Sequence, residues 1–201
     1  AAAEALSAAR KDAAKRLDKA VNAELKGLKL EKAKFRTELA RLPEEQWGEA
    51  GIDSVAFQIA TNPGAPFAPL ARIASGGELA RLMLAVTVCL ARANPVPSLV
   101  FDEVDAGVGG ATAAAVGERL QRLADGLQVL VVTHSPQVAA VGRQHWRVSK
   151  ETAAGTARTR LLALDPDARR EEIARMLSAA EVTAEARAQA DRLLAAAEAA
   201  A

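Results

Sequence analysis

The chain has 201 residues, of which 50% are apolar and 25% are charged. Its 26 basic and 25 acidic side chains leave a formal net charge of +1, a balance that is typical of a soluble globular protein and argues against wholesale disorder. No stretch reaches the roughly eighteen uninterrupted apolar residues of a membrane span, and the single Cys89 excludes an internal disulfide. We therefore expect no membrane contact and a cytoplasmic location. Because the sequence lacks an initial Met and begins inside a helical pattern, we also expect a fragment.

The first 42 residues predict one long amphipathic helix. Eleven basic and six acidic residues surround a narrow stripe of small apolar side chains, which recur at three- and four-residue steps. The stripe consists of Leu6, Ala9, Ala13, Leu17, Val21, Leu25 and Leu28. A stripe this narrow favours a two-stranded coiled coil, although a solvated helix with some other partner is the simpler alternative. We expect a coiled-coil helix at residues 1–42 and a globular lobe at residues 43–201.

The lobe predicts an α/β fold. Two apolar strands separated by a helix indicate a parallel sheet that is covered on both faces. An edge hairpin and two helices, capped by Asp167 and Thr183, are expected to follow. The expected elements are a strand at 54–60, a proline-rich loop at 62–69, a helix at 77–93 that ends before Pro95, a strand at 98–101, a helix at 112–124, a strand at 128–133, hairpin strands at 144–150 and 157–164, a helix at 168–178 and a last helix from Thr183 to the C-terminus.

Two adjacent carboxylates end the first of the two apolar strands, in the segment Leu99-Val-Phe-Asp-Glu103. Ligands of open α/β sheets bind at the carboxyl ends of strands, so Asp102 is placed to hold Mg²⁺ as a Walker B aspartate does. Glu103 would then orient or deprotonate an attacking water. The alternative, a strand that ends in two solvated acids, is equally common when such a segment stands alone.

A glycine-rich turn, Ser75-Gly-Gly-Glu78, leads directly into an apolar helix. Ser75 can cap that helix, while Gly76 and Gly77 let backbone N–H groups approach an anion closely. The helix dipole favours a phosphate at this position. A plain helix cap after a glycine turn is the alternative, and the order of the motifs along the chain argues against it.

Two further segments follow the same two strands. Asp105 lies in a glycine-rich turn directly after the acidic pair, which is a poor choice for structure alone. His134 follows the second strand, where an imidazole can hydrogen-bond a γ-phosphate or the attacking water. A surface histidine after a strand is the ordinary alternative. Four such elements in this order make coincidence an unsatisfactory explanation.

Together these segments resemble the bacterial RecN recombination-repair ATPases, which are relatives of the structural-maintenance-of-chromosomes (SMC) proteins. The resemblance rests on Ser75-Gly-Gly-Glu78, Phe101-Asp-Glu-Val-Asp105 and Thr133-His-Ser-Pro-Gln-Val-Ala-Ala140, with support from Ala60-Thr-Asn-Pro-Gly64 and Glu171-Glu-Ile-Ala-Arg-Met-Leu177. It implies the C-terminal lobe of an ABC/SMC-type ATPase head, with a parallel β core flanked by helices and preceded by a coiled-coil helix.

The resemblance also implies roles for these residues with ATP and Mg²⁺. Asp102 would be the Walker B metal ligand, Glu103 the catalytic base and His134 the switch histidine. Asp105 would belong to the D-loop, which crosses the interface between two heads. The signature residues would close the ATP site of the second head of a homodimer: Ser75, Gly76, Gly77 and Glu78.

One motif of such heads does not occur. The 201 residues contain no Gly-x-x-x-x-Gly-Lys-Ser/Thr segment, the Walker A loop that cradles phosphates. The resemblance explains this, because the family's Walker A lobe is N-terminal; we expect this chain alone to be inactive and to need that lobe as a partner. DNA as a double-stranded partner and a nucleoid-associated location also follow from the resemblance. The alternatives are a transporter's nucleotide-binding subunit, where Gln usually replaces Glu78, and a non-catalytic structural module.

Overall fold

The computed structural model describes residues 1–73, 75–91, 93, 96–153, 156–178 and 181–199. The chain divides into two compact units, Ala1–Pro97 and Ser98–Ala201. The predicted break at Pro95 and the last two positions of the predicted C-terminal helix lie outside the described ranges. The predicted helix end at residue 93 is flanked by residues outside them.

Over its described residues, the first unit combines two α-helices with a small antiparallel sheet of strand order β1-β2-β3. Short 3-10 turns at Lys26–Leu28, Glu44–Gln46 and Leu70–Arg72 join these elements. The elements are α1 (Ala2–Leu25), β1 (Lys34–Arg41), β2 (Asp53–Ala60), β3 (Ala68–Pro69) and α2 (Gly76–Leu90).

The predicted helix over residues 1–42 is wrong beyond Leu25. Lys29 adopts a left-handed backbone conformation with φ of +58°, which ends the helical path. The chain then enters β1, which pairs with β2 from Lys34 opposite Ala60 to Arg41 opposite Asp53. This pairing over eight residues supplies the backbone hydrogen bonds that a longer helix would have made, and it depends on a partner distant in sequence.

Side chains of α1 hold the outer edge of β1. The Asn22 side chain accepts a hydrogen bond from the Phe35 N–H at 2.9 Å and donates one to the Phe35 carbonyl at 2.8 Å. The Thr37 N–H donates to Asp18 Oδ1 at 2.7 Å. An edge strand leaves such backbone groups unpaired, so these contacts satisfy them and fasten α1 to the sheet.

The apolar stripe of α1 is buried only in part. Val21, Leu25 and Leu28 are fully buried, so this end of the helix packs on the unit itself and not on a coiled-coil partner. Leu6 and Ala9, by contrast, are exposed, as is Ala13. Near the N-terminus Ser7 turns toward the sheet instead and donates to Asp53 at 2.8 Å.

In the part of the second unit that the structure describes, there are a parallel strand pair, a separate antiparallel hairpin and four helices. Thr183 caps the last helix as predicted, since it accepts from the Ala186 N–H at 3.2 Å. The helix before it is capped by Asp165, which accepts from the Ala168 N–H, and Asp167 lies inside its first turn. The elements are β4 (Ser98–Asp102), α3 (Gly110–Ala124), β5 (Gln128–Val132), α4 (Pro136–Val141), β6 (Trp146–Ala153), β7 (Thr156–Ala163), α5 (Pro166–Leu177) and α6 (Ala184–Ala199).

The parallel sheet is not covered on both faces, contrary to the prediction. Alternate side chains of a strand point to opposite faces. Val100 is 70% exposed, Val132 57% and Leu130 39%, whereas Leu99 and Phe101 are half-buried. The hairpin β6–β7 forms its own two-stranded sheet within the described residues, so it is confirmed as a hairpin but does not extend the parallel sheet.

Three helices of the second unit, α4, α5 and α6, pack into one buried cluster. Five residues of α4, α5 and α6 are buried together: Ala139, Ala140, Ile173, Ala174 and Ala190. None of the helices in the described ranges is long and apolar enough to cross a membrane.

The contact between α1 and β1 is testable. We expect Asn22→Ala to destabilise the chain by about 1–3 kcal/mol, because the substitution leaves two part-buried backbone groups of Phe35 without partners. Denaturant unfolding measures this change. Lys19→Ala, at an exposed position of the same helix, is the control and should change stability little. Equal stability of both variants would contradict this role of Asn22.

Candidate functional site

The parallel pairing of β4 and β5 brings two predicted segments together. Asp102 lies opposite Val132 at the ends of the two strands, and the Glu103 N–H donates to the Val132 carbonyl at 3.1 Å. The loop that begins at Glu103 therefore starts beside the loop that begins at Thr133. The acidic pair and the histidine segment thus occupy adjacent carboxyl ends of parallel strands, the position where ligands bind in α/β sheets.

The three side chains predicted to act on a phosphate are accessible there. Asp102, Glu103 and His134 are all exposed. Glu103 has a φ of +49°, in the left-handed region that residues other than glycine seldom occupy. Such backbone strain is concentrated at functional sites. A tight turn follows, in which the Ala106 N–H donates to the Glu103 carbonyl at 2.9 Å.

Asp105 occupies a different position from the one expected for an interface or nucleotide-binding residue. Its side chain is fully buried. One carboxylate oxygen, Oδ2, accepts hydrogen bonds from the Thr133 hydroxyl and, at 3.1 Å, from the Ser135 N–H. Oδ1 is buried without a partner among the described residues. A buried carboxylate needs hydrogen bonds, and Thr133 and Ser135 supply them, so Asp105 has a structural role in this loop beside the one predicted for it.

The signature segment lies in the first unit. Ser75 caps α2 as predicted, because its hydroxyl accepts from the Glu78 N–H at 3.4 Å. Ser75 and Gly76 are exposed, while Gly77 and Glu78 are half-buried. A Cβ added to Gly76 would meet no atom of the described residues within 4 Å, so no contact among them requires glycine at this position. The missing side chain instead leaves the backbone N–H groups of the helix start open to an external anion.

Arg81 is a residue of this helix that the sequence did not mark as important. It is buried, and its Nε donates to the Leu28 carbonyl at 3.0 Å. Burial lowers the pKa of Arg81, and the nearby Glu78 opposes that shift. The contact joins the signature helix to the turn where α1 ends. The sequence does contain a signal for this role, because an arginine stands among the apolar residues of α2 and a buried charge needs a specific partner.

The described residues offer only part of a metal site. They contain no group of three or more His, Cys, Asp or Glu side chains placed to hold a metal ion. Mg²⁺ usually keeps several waters and binds one or two carboxylates together with substrate phosphates. The exposed carboxylate of Asp102 can be one such ligand. The other ligands must then come from water and a nucleotide.

A second polar cluster lies on the hairpin and α5, where none of the predicted site residues occurs. Glu172 is buried and accepts from Arg175 at 2.6 and 3.0 Å, and the Arg175 hydrogen bond lowers the pKa of Glu172. Burial lowers the pKa of His145, assisted by the charge of Arg169 and opposed by Glu172. His145 and Arg169 line a cavity of about 470 Å³.

Comparison with known protein sequences shows which family this chain belongs to. No family model matches the chain. The DNA repair protein RecN of Vibrio cholerae is 44% identical over 197 residues, and the match covers 98% of this chain and 35% of that protein. RecN of Streptomyces coelicolor is 43% identical over 202 residues, and this match covers 96% of this chain and 35% of that protein. The chain belongs to the RecN family. It spans about a third of the length of these curated RecN relatives, and it matches their C-terminal part.

Solved structures confirm the fold of this RecN segment. The SMC head domain from Pyrococcus yayanosii superposes with a TM-score of 0.59 at 20% identity, covering 81% of this chain and 29% of that chain. A structure described under ATP-driven dimerization and DNA-stimulated activation of SMC ATPases has a TM-score of 0.52 at 16% identity, covering 86% of this chain and 96% of the other. The predicted α/β fold of an SMC-type head lobe is therefore confirmed.

The lowered pKa of His145 gives a pH-dependent stability. Because the folded chain binds this proton less tightly than the unfolded chain, His145 adds stability above its ordinary pKa of 6.5. That stability is lost as the pH falls below 6.5 toward the lower folded pKa. We expect His145→Gln to flatten the change in unfolding free energy between pH 7.5 and about 5.5.

The only other histidine provides a matched control. His134→Gln makes the same replacement at an exposed position and is the control for the substitution itself. Unfolding free energies across the pH range distinguish the two variants. An unchanged slope in His145→Gln would contradict the assignment.

Proposed function

We propose that this chain is the C-terminal lobe of an SMC-like ATPase head that acts in recombinational repair of DNA double-strand breaks. The proposal rests on one observation above all: the adjacent ends of two parallel strands present Asp102, Glu103 and His134 to solvent. The similarity to RecN proteins supports the repair function.

Each of the three side chains has a role in ATP hydrolysis. Asp102 would hold Mg²⁺, which when bound would neutralise negative charge on the phosphates. Glu103 orients the attacking water and accepts its proton, the work of a general base. His134 hydrogen-bonds the γ-phosphate from the neighbouring strand end. The exposure of all three groups allows a nucleotide to approach them directly.

The site is completed by other parts of the assembly. A Walker A lobe supplies the phosphate-binding loop that these 201 residues do not contain. The exposed apolar face of the parallel sheet, formed by Val100, Leu130 and Val132, supports packing against such a lobe, because large apolar patches usually mark interfaces. The exposed Leu6, Ala9 and Ala13 support a coiled-coil partner for the first turns of α1.

The signature segment acts on a second head. Ser75 caps the helix start, a Cβ at Gly76 would meet no atom of the described residues within 4 Å, and Gly77 and Glu78 follow in the first turn. In a homodimer these residues would contact the γ-phosphate bound to the partner head. ATP would then hold the two heads together and its hydrolysis would release them.

We expect Glu103→Gln to lower ATP hydrolysis by about 10²-fold or more, because the amide cannot accept the proton of the attacking water. ATP binding should be retained, since the amide keeps the shape of the side chain. The measurement compares turnover and nucleotide binding in a polypeptide that unites this chain with its Walker A lobe. Wild-type turnover in this variant would refute the catalytic role of Glu103.

The chain by itself serves as the control. Without a Walker A lobe it should show negligible turnover at any ATP concentration. Robust hydrolysis by the purified chain would contradict the proposal that two lobes are needed.

A lysine cluster supports contact with DNA. Along α1 several charges are paired within the chain, for example Arg41 with Glu4 at 2.8 Å. Where α1 ends, four exposed lysines have no ion pair within the described part of the chain, and Glu31 is the one acid between them. The cluster consists of Lys26, Lys29, Lys32 and Lys34. Unpaired cations this close together bind a phosphate backbone regardless of base sequence, which suits a nucleoid-associated protein.

We expect alanine at all four cluster positions to weaken double-stranded DNA binding and to reduce its salt dependence. The slope of log affinity against log salt falls by about 0.9 for each lost phosphate contact. The matched control replaces four basic residues on the exposed side of α1, namely Lys11, Lys15, Arg16 and Lys19. Equal slopes for the two quadruple variants would show that the cluster is not the contact site.

A further inference from the structure

We propose that Asp105 is a positioning residue: it fastens the loop that carries His134 to the turn that carries Glu103, so that the two catalytic groups keep a fixed relation. The proposal rests on the ATPase function above and concerns a buried side chain that does not touch the nucleotide.

The hydrogen bonds of Asp105 reach both neighbours of His134. Thr133 precedes the histidine and donates its hydroxyl to Oδ2, and Ser135 follows it and donates its N–H to the same oxygen at 3.1 Å. The Ser135 N–H also lies 2.9 Å from the Thr133 hydroxyl, which closes a small ring of contacts. The backbone of His134 is therefore held on both sides by one carboxylate.

The backbone of Asp105 belongs to the turn after Glu103. The Glu103 carbonyl accepts from the Ala106 N–H at 2.9 Å, and the Asp105 carbonyl accepts from the Val108 N–H at 3.3 Å. Glu103 itself stays paired to the end of β5 through the Val132 carbonyl. A shift of this turn must consequently move Asp105, and Asp105 carries the shift to the histidine loop.

The His134 side chain has no such support of its own. It is exposed, and it makes no hydrogen bond to any of the residues that the structure describes. Its direction is thus set by the backbone that Thr133 and Ser135 anchor. Among the described residues, Oδ1 of the buried Asp105 has no partner, which is unfavourable for stability, so we infer that the benefit of this carboxylate is geometric.

The first test needs no hydrolysis. The chain contains two histidines, so a ¹H–¹³C NMR spectrum shows two imidazole Cε1–H signals, one for each histidine, and these are easily assigned. We expect Asp105→Ala to shift or broaden the His134 signal and to leave that of His145 in place. Asp105→Asn keeps one acceptor oxygen and should shift the His134 signal less. Asp167→Ala, which changes an exposed aspartate of α5, is the control and should move neither signal.

The second test measures turnover in the polypeptide that includes the Walker A lobe. Displacement of a catalytic group by about 1 Å costs about 10²-fold in rate, so Asp105→Ala should lower kcat by about that factor. KM for ATP should change by less than about twofold, because Asp105 touches no nucleotide. Since Asp105 acts through the histidine, the double variant with His134→Ala should be no slower than His134→Ala alone.

The outcomes separate this inference from the ATPase proposal. A His134 signal that stays in place in Asp105→Ala, or fully additive effects in the double variant, would overturn the positioning role even if Glu103→Gln is inactive. If Asp105→Ala fails to fold, Thr133→Val removes one of the two anchors and must show the same shift and the same non-additivity. Wild-type turnover in Glu103→Gln would refute the ATPase proposal, whereas a shifted His134 signal in Asp105→Ala would still support the contact between the two loops.

Discussion

The register between β4 and β5 is the constraint on which the candidate site depends. Asp102 lies opposite Val132, and the next residue of each strand therefore begins a loop beside the other. A slip by one residue would turn Asp102 to the opposite face and separate the two loops, because strand side chains alternate with a period of two. This parallel pairing is what places the acidic pair, the buried Asp105 and the histidine segment next to one another.

Much of this site could be predicted because its chemistry coincides with strand ends. An apolar run followed by charged residues marks the carboxyl end of a buried strand, and this pattern located Asp102, Glu103 and His134. The inward turn of Asp105 could not be predicted, since it depends on Thr133 and Ser135, about 30 residues away. Sequence spacing alone does not distinguish a carboxylate that faces a ligand from one that organises the loop behind it.

The first unit shows the same limit in its fold. Residues 34–41 continue the charged, helical-looking pattern of α1, yet they form an edge strand paired with β2 and fastened by Asn22. Long-range pairing overrides local preference here. The structure also changes the interpretation of α1 as a coiled-coil helix, because its last turns are part of the core of the first unit. Through the bond from Arg81 to the Leu28 carbonyl, the end of α1 is joined to the helix that begins at the signature segment.

The left-handed backbone at Glu103 has a consequence for laboratory evolution of this protein. A residue other than glycine in that conformation costs of order 1–3 kcal/mol, and glycine there would release the strain. A library of variants screened only for resistance to heat would thus tend to replace Glu103. The most heat-resistant survivors would have lost the carboxylate that we propose as the general base, so such a screen must also select for turnover.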